Sequence, residues 1–284
     1  MRREDCSLLV ATYNWPEALA RILRSVAAQT VLPGEVLVAD DGSGEPTRAV
    51  VEALRRELRV PVNHVWQPDD GFRAGQIRNK AVAAASGAYV VQVDGDMVLH
   101  PRFVEDHLAA ARPGRFIGGS RVVLGPEATR RLVEDGIRPG LLSRGVRNRL
   151  NALRLPPLGR ALATVVSPRS LRSIRGCNMS YWRDDFVAVN GYDEAYVGWG
   201  REDTDLVLRF RQYGLERTFF KLQGVAYHLH HEERDRGRLD LNDELLRRAA
   251  RGESWRCVKG VSQYLRAAGA GAARSGRAAS RSPS

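Results

Sequence analysis

Two rhythms of apolar residues alternate along the first third of this chain. Cys6 to Thr12, Glu35 to Ala39, Val62 to Trp66 and Tyr89 to Val93 are short runs dominated by Val, Leu and Ala. All four read as strands, with Cys6 to Thr12 and Tyr89 to Val93 as buried ones. Between them the spacing changes to that of helices. Pro16 opens a segment with Leu19, Ile22, Leu23 and Val26 on one face, and Pro46 opens another with Val50, Val51, Leu54 and Leu58. A third runs from Gln76 to Ala85 and is closed by Ser86-Gly87. Asn14 is placed to cap the first helix, and Pro68-Asp69-Asp70-Gly71 reads as a turn. Strands alternating with amphipathic helices predict a parallel α/β sheet with right-handed crossovers.

The second half is less regular. A helix is predicted over Pro101 to Ala111, then one strand over Phe116 to Leu124. From about Thr129 to Arg175 an insert carries Leu141, Leu142, Val146, Leu150, Leu153 and Leu155 in loosely helical spacing that stops at Pro156-Pro157. Cys177 to Tyr181 reads as a strand, Asp184 to Val189 as a short helix, and Glu202 to Tyr213 as a helix ending at Gly214. Val225 to His228 is a last strand. There is no internal repeat, and no Gly-x-Gly-x-x-Gly follows the first strand, which removes the dinucleotide fingerprint.

Charge changes the picture in one place. The formal net charge of +11 over 284 residues is concentrated in the insert. No Asp or Glu occurs between Gly136 and Trp182, whereas Arg138, Arg144, Arg147, Arg149, Arg154, Arg160, Arg169, Arg172 and Arg175 do. This points to an anionic partner for that segment. Cys6, Cys177 and Cys257 are odd in number and far apart, so neither a disulfide framework nor a cysteine zinc site is expected. The apolar run Leu8 to Ala11 is too short for a secretory signal, and no run approaches the roughly 20 residues of a membrane span. The expectation is a cytoplasmic protein, soluble or peripheral to the inner membrane.

Candidate chemistry centres on Tyr89 to Pro101, YVVQVDGDMVLHP. Asp94 and Asp96 stand at the carboxyl end of a buried strand, where open α/β sheets place their ligands. A turn at Gly95, whose backbone is the least restricted, would bring the two carboxylates to one ligand. Carboxylate oxygens suit a hard divalent ion that shares its shell with phosphate. Taken alone, Asp-Gly-Asp is more often a solvated turn. Three more clusters follow strand ends or turns: Asp40-Asp41, Glu202-Asp203 and the pair His228 and His231.

The order of these features resembles glycosyltransferase family 2. A strand precedes DDGS; RNKA, a strand, DGD, a G-x-N strand, W-G-x-E-D and a histidine cluster follow. Within it, RGCNMSYWRDDFVAVNGYDEAYVGWGREDTDLVLRFRQYG is similar to chondroitin-polymerase modules and β-1,4-galactosyltransferases. The resemblance covers roughly residues 6–231. It implies a GT-A fold: a Rossmann-like, mostly parallel sheet with helices on both faces and a smaller acceptor-side portion. It also implies an inverting transferase using a UDP-sugar donor and a glycan or lipid-linked saccharide acceptor, in bacterial surface polysaccharide or lipopolysaccharide synthesis.

Roles carried over by the resemblance are specific. Asp40 or Asp41 contacts the uracil or ribose, with Thr12 beneath the base. Arg78, and with it Arg73, lies near the nucleotide, where an arginine fork suits diphosphate. Asp96 ligates the metal, and Asp94 meets the ribose or supports the metal site. His228 and His231 complete the metal set; with imidazole joining oxygen the preferred ion is Mn²⁺, with Mg²⁺ second. Asp203 is the catalytic base and Glu202 its acceptor-hydroxyl partner. Trp199 forms a sugar-stacking platform, and Gly176 and Asn178 line the sugar site. The organisation expected is a nucleotide-sugar-binding half (1–128), the arginine-rich insert (129–175), an acceptor and catalytic half (176–235), carboxyl-terminal helices (236–266) and a disordered tail (267–284). The insert is either a solvated basic surface, a membrane-surface segment or part of an acceptor groove.

Two rivals remain at this stage. A nucleotidyltransferase would also bind nucleotide and metal, but has no need of Trp199 to Asp203. A basic nucleic-acid-binding protein would use the net charge, but the insert lacks interleaved aromatics and no nucleic-acid motif is present.

Overall fold

The computed structural model describes residues 2–136, 139–140, 143–166, 175–232, 237–252 and 254–265. The expected tail from Ala267, and Arg138, Arg169 and Arg172 of the insert, lie outside the described residues. The amino-terminal elements are β1 (Cys6–Thr12), α1 (Pro16–Ala27), β2 (Glu35–Asp40), α2 (Glu45–Glu57), β3 (Val62–Trp66), α3 (Ala74–Ala84) and β4 (Tyr89–Asp94). They follow the predicted alternation. β1 is buried on both faces: Leu8 and Val10 pack with Leu19, Ile22 and Leu23 of α1, while Leu9 packs with Ile77 and Ala81 of α3 on the other side. The period of two in the strand thus supplies both layers of the core.

After β4 come β5 (Met97–Leu99), α4 (Phe103–Ala110), β6 (Arg115–Gly118), β7 (Val122–Leu124), α5 (Pro126–Glu134), β8 (Val146–Arg147), α6 (Pro156–Val165) and β9 (Asn178–Trp182). Then follow α7 (Arg183–Ala188), α8 (Glu202–Gln212), β10 (Glu216–Thr218), β11 (Ala226–His228) and α9 (Leu239–Arg251). Seven strands form the main sheet in the order β10-β6-β9-β4-β1-β2-β3, and β5-β11-β7-β8 form a second, small sheet. In the main sheet only β9 runs antiparallel to its neighbours, β4 and β6. The fold is a GT-A arrangement, a mostly parallel sheet with helices on both faces. β2 and β3 lie to one side of β1 and β4 to the other, so a crevice opens at the carboxyl ends of β1 and β4.

Four local expectations are corrected. Asn14 does not cap α1; the flanking residue is Trp15, and no side chain caps the helix. Asn14 takes a left-handed φ of 44° and clamps the loop after β2 instead. Its N–H donates to Ser43 Oγ at 2.8 Å, and its Oδ1 accepts from Gly44 N at 3.1 Å. The single strand expected over Phe116 to Leu124 is two strands in different sheets, because Gly119 and Ser120 break the run. Pro156-Pro157 does not end a helix but opens α6, where proline's missing N–H costs nothing. Gly95, finally, does not take a left-handed angle. A Cβ there would lie 2.9 Å from Ala11 O and 3.2 Å from Thr12 Oγ1, so glycine is needed for space.

Candidate active site

The crevice is a cavity of about 880 Å³, a volume that suits a small-molecule or cofactor ligand. Strand register delivers its floor. Ala11 pairs with Asp94 and Thr12 with Asp40, so the ends of β1, β2 and β4 lie side by side. Thr12, Asp41, Asp94 and Asp96 all line the cavity.

The two aspartates after β2 separate. Asp40 is fully buried beneath the loop, where its Oδ1 accepts from Ser43 N at 2.8 Å and its Oδ2 meets His64 Nε2 at 2.8 Å. It does not reach the cavity. Asp41 does, and it is fixed by Gln67 Nε2 at 2.6 Å and the Arg73 backbone N–H at 2.8 Å. Arg73 therefore acts through its backbone. Its guanidinium pairs with Asp70 and does not line the cavity, against expectation.

Arg78 is the electrostatic centre. It projects from α3 with its side chain only 5% exposed, and Nη2 donates to Asp94 Oδ1 at 2.7 Å. Nη1 lies 3.3 Å from Asp203 Oδ1 and 3.6 Å from Glu202 Oε1. One buried cation thus ties the end of β4 to the start of α8. Burial pushes Glu202 up to about 8, with the neighbouring Asp203 charge adding to it and Arg78 opposing. Glu202 is consequently protonated at neutral pH.

Asp203 is held from three sides. Gly176 N donates to Oδ2 at 2.7 Å, Tyr192 OH to Oδ1 at 3.1 Å, and Arg78 to the same Oδ1. Oδ2 thereby keeps a free lone pair. Tyr192 is positioned in turn by Gln92, whose Nε2 donates to its hydroxyl at 2.8 Å and to Gly176 O at 3.0 Å. The loop Trp199-Gly200-Arg201 brings α8 to this point through left-handed angles at Gly200 and Arg201. α9 secures it: Asn242 Nδ2 donates to Gly200 O at 3.0 Å, and Asp243 pairs with Arg201. Trp199 and Gly176 line the cavity. Asn178 does not. It is fully buried, donating to Ser120 O and Gly224 O, with Oδ1 against His107 Nε2. Its place is in the core behind the site, which corrects the expected sugar contact.

In the same cavity Asp96, His228 and His231 converge. Their ligand atoms lie within 4.8 Å of one another. Asp96 Oδ2 is 3.4 Å from His228 Nε2 and 3.2 Å from His231 Nε2. The small sheet makes this juxtaposition, since His228 pairs with Met97 and Leu229 N donates to Asp96 O at 2.9 Å. Asp96 Oδ1 is buried without a hydrogen-bond partner, an unusual condition for a carboxylate oxygen. Burial pushes His228 down to about 4, keeping the imidazole in the neutral form that ligates metals. The donor set fits a divalent cation. His230 also lines the cavity but is not one of the three clustered residues, and its backbone N–H donates to Thr129 Oγ1.

Sequence reasoning missed Tyr192 and Gln92, which read as ordinary core residues, and Arg121, which lines the cavity beside Arg147 and Arg175. No local signal marks Tyr192 or Gln92. The arginine excess marked Arg147 and Arg175 only as members of a basic segment.

Comparison with known proteins decides the family. The model for "Glycosyl transferase family 2" matches residues 7–186, and one for "N-terminal domain of galactosyltransferase" matches residues 157–232. The chain belongs to glycosyltransferase family 2. Validoxylamine A glucosyltransferase of Streptomyces hygroscopicus subsp. limoneus is 31% identical over 75% of this chain and 49% of its own length. Chondroitin synthase of Escherichia coli is 25% identical over 79% of this chain and 34% of its own. The family 2 chain therefore spans about half, or less, of the length of these relatives. Among solved structures, S. aureus TarS 1–349 in complex with UDP superposes with a TM-score of 0.58 at 18% identity, covering 93% of this chain and 68% of that one. The mannosyltransferase PcManGT of Pyrobaculum calidifontis, in complex with GDP-Man and Mn²⁺, gives 0.57 at 17%, covering 98% and 76%. Between them the two family matches span every candidate residue of this family 2 chain, from Thr12 to His231.

Proposed function

We propose that this chain is an inverting, metal-dependent glycosyltransferase. It moves a sugar from a UDP-sugar to a glycan or lipid-linked saccharide at an anionic membrane surface, in bacterial surface polysaccharide or lipopolysaccharide synthesis. The observation that carries the reading is one cavity lined by two clusters, Asp96, His228 and His231 in one and Asp203 and Glu202 in the other, with Asp94 and Arg78 linking them. UDP in TarS 1–349 and Mn²⁺ in PcManGT support the donor class and the ion.

The geometry supports the following roles. Asp41 and Thr12 hold the nucleoside end at the carboxyl ends of β1 and β2. A divalent ion, Mn²⁺ before Mg²⁺, held by Asp96, His228 and His231, would neutralise charge on the departing diphosphate as a Lewis acid. The acceptor hydroxyl donates toward Asp203 Oδ2, the oxygen with a free lone pair. As the acceptor oxygen bonds to the anomeric carbon, the bond from that carbon to the diphosphate breaks and the proton passes to Asp203. Attack from the face opposite the diphosphate inverts the centre. Protonated Glu202 hydrogen-bonds the acceptor, and Trp199 stacks on a sugar face.

The test is a panel of UDP-sugars, with GDP-mannose for comparison, assayed for nucleotide release with metal and in excess EDTA. Metal-dependent release from at least one UDP-sugar is expected, restored by Mn²⁺ more fully than by Mg²⁺. Asp96→Ala should abolish it. Full turnover in EDTA would sink the metal assignment, and release from GDP-mannose alone would sink the UDP assignment.

A further inference from the structure

Among the described residues, five of the eleven exposed large apolar side chains fall between Leu150 and Val166. Leu150 is 72% exposed, Leu155 and Leu158 are 50% each, and Val165 is 78%. Leu155, Leu158, Leu162 and Val165 recur every three or four residues, which puts them on one stripe of α6 and its entry. The stripe is not on a loose end. Leu155 N donates to Leu222 O at 2.8 Å, and Gly159 sits so close to Lys221 that a Cβ would lie 2.5 Å from its carbonyl oxygen. Arg154 grips buried Asp106 with bonds of 2.7 and 2.9 Å. The helix is fixed to the core along one side and turns its apolar stripe outward.

Positive charge surrounds the stripe. Arg144, Arg147, Arg149 and Arg160 are exposed, and the sequence has no acidic residue between Gly136 and Trp182. Two carboxylates that share a pocket with Pro156, Pro157 and Arg160 are ion-paired, Asp106 with Arg154 and Glu105 with Arg102. Leucine and valine facing water among arginines, in a segment without an acidic residue of its own, match the boundary of an anionic bilayer. Acyl chains accept the apolar side chains there, and headgroups pair with the guanidinium groups.

We propose that residues 144–166 form an in-plane membrane-docking surface, held by shallow insertion of Leu150, Leu155, Leu158 and Val165 and selective for anionic lipid. The segment leaves the cavity at Arg147, and the chain lines it again at Arg175. Docking therefore brings the cavity rim to the headgroups. Only the purpose of docking, delivery of a lipid-linked acceptor, rests on the proposed transferase reading.

Flotation of the full chain with phosphatidylcholine vesicles, with and without phosphatidylglycerol, tests this. Binding is expected only with phosphatidylglycerol. Leu158→Ser combined with Val165→Ser should weaken it by roughly tenfold or more, the scale of losing two buried apolar side chains. Arg149→Gln combined with Arg160→Gln should weaken it at low salt and less at high salt, where charges are screened. Unchanged thermal unfolding and UDP-sugar turnover would show that the variants are folded. No binding by the wild type, or equal binding by the serine variant, overturns the proposal. So does a wild-type dimer that the serine variant dissociates without any vesicle binding, because the stripe then covers a second copy. Vesicle binding without any UDP-sugar turnover would remove the transferase reading alone.

Discussion

Gly176 and Asp203 are fitted to each other. The Gly176 N–H donates to Asp203 Oδ2 at 2.7 Å, and a Cβ at position 176 would lie 2.3 Å from Asp203 Oδ1. No side chain fits there without moving the candidate base. Gly176→Ala should therefore lower transfer by roughly 10²-fold, the scale of misplacing a reacting group by about 1 Å. Donor affinity, measured by calorimetry with UDP and Mn²⁺, should change little. A transfer rate near wild type would show that Asp203 need not stay where it is.

Asp203→Asn keeps the shape of the side chain and removes its capacity to take a proton. UDP affinity should stay near wild type, while transfer falls by roughly 10²-fold or more. Glu202→Gln should instead raise the apparent acceptor KM with a smaller effect on kcat. Steady-state kinetics for both variants separate the two roles. A rate for Asp203→Asn within a few-fold of wild type would send the proton elsewhere.

Arg78 stabilises two carboxylates, Asp94 and Asp203, from a nearly buried position beside the protonated carboxyl of Glu202. Arg78→Gln leaves that negative charge without its cation. Removing one partner of a buried ion pair costs about 3–5 kcal/mol, so urea unfolding should show a loss of about 3 kcal/mol or more. Arg78→Lys restores charge without the planar fork and should recover part of it. A loss under about 1 kcal/mol for the glutamine variant would mean that water already screens the cluster.

Glu202 makes stability depend on pH in a stated direction. Its carboxyl stands at about 8 in the folded protein against 4.5 ordinarily. Between those values the folded protein keeps a proton that the unfolded chain has released. Stability from this group therefore falls as pH rises from about 4.5 to about 8, then levels off. Glu202→Gln has no proton to lose. Its melting temperature relative to wild type should climb between about pH 5 and about pH 8. A constant difference across that range would place the carboxyl in its ordinary range.

Much of this protein was determined locally. β-Branched and leucine-rich runs between helical spacings dictated β1 to β4 and α1 to α3, since burying both faces of a parallel sheet requires such runs. Asp94-Gly95-Asp96, Trp199 to Asp203 and the histidine pair were visible as chemistry at strand and helix ends. Tertiary structure decided which of those side chains meet. Asp40 and Asp41 are adjacent in sequence, yet the Ser43 turn and His64 take one under the loop while Gln67 and Arg73 hold the other in the cavity. Asn178 continues a strand whose register sends it to the core, between Ser120, Gly224 and His107. Tyr192 reaches Asp203 only because α8 and the turn at Gly191 are packed on the same sheet. A side chain's period along its own element fixes the face it takes. What stands on that face depends on strand order and register set by residues a hundred positions away, and no local pattern records it.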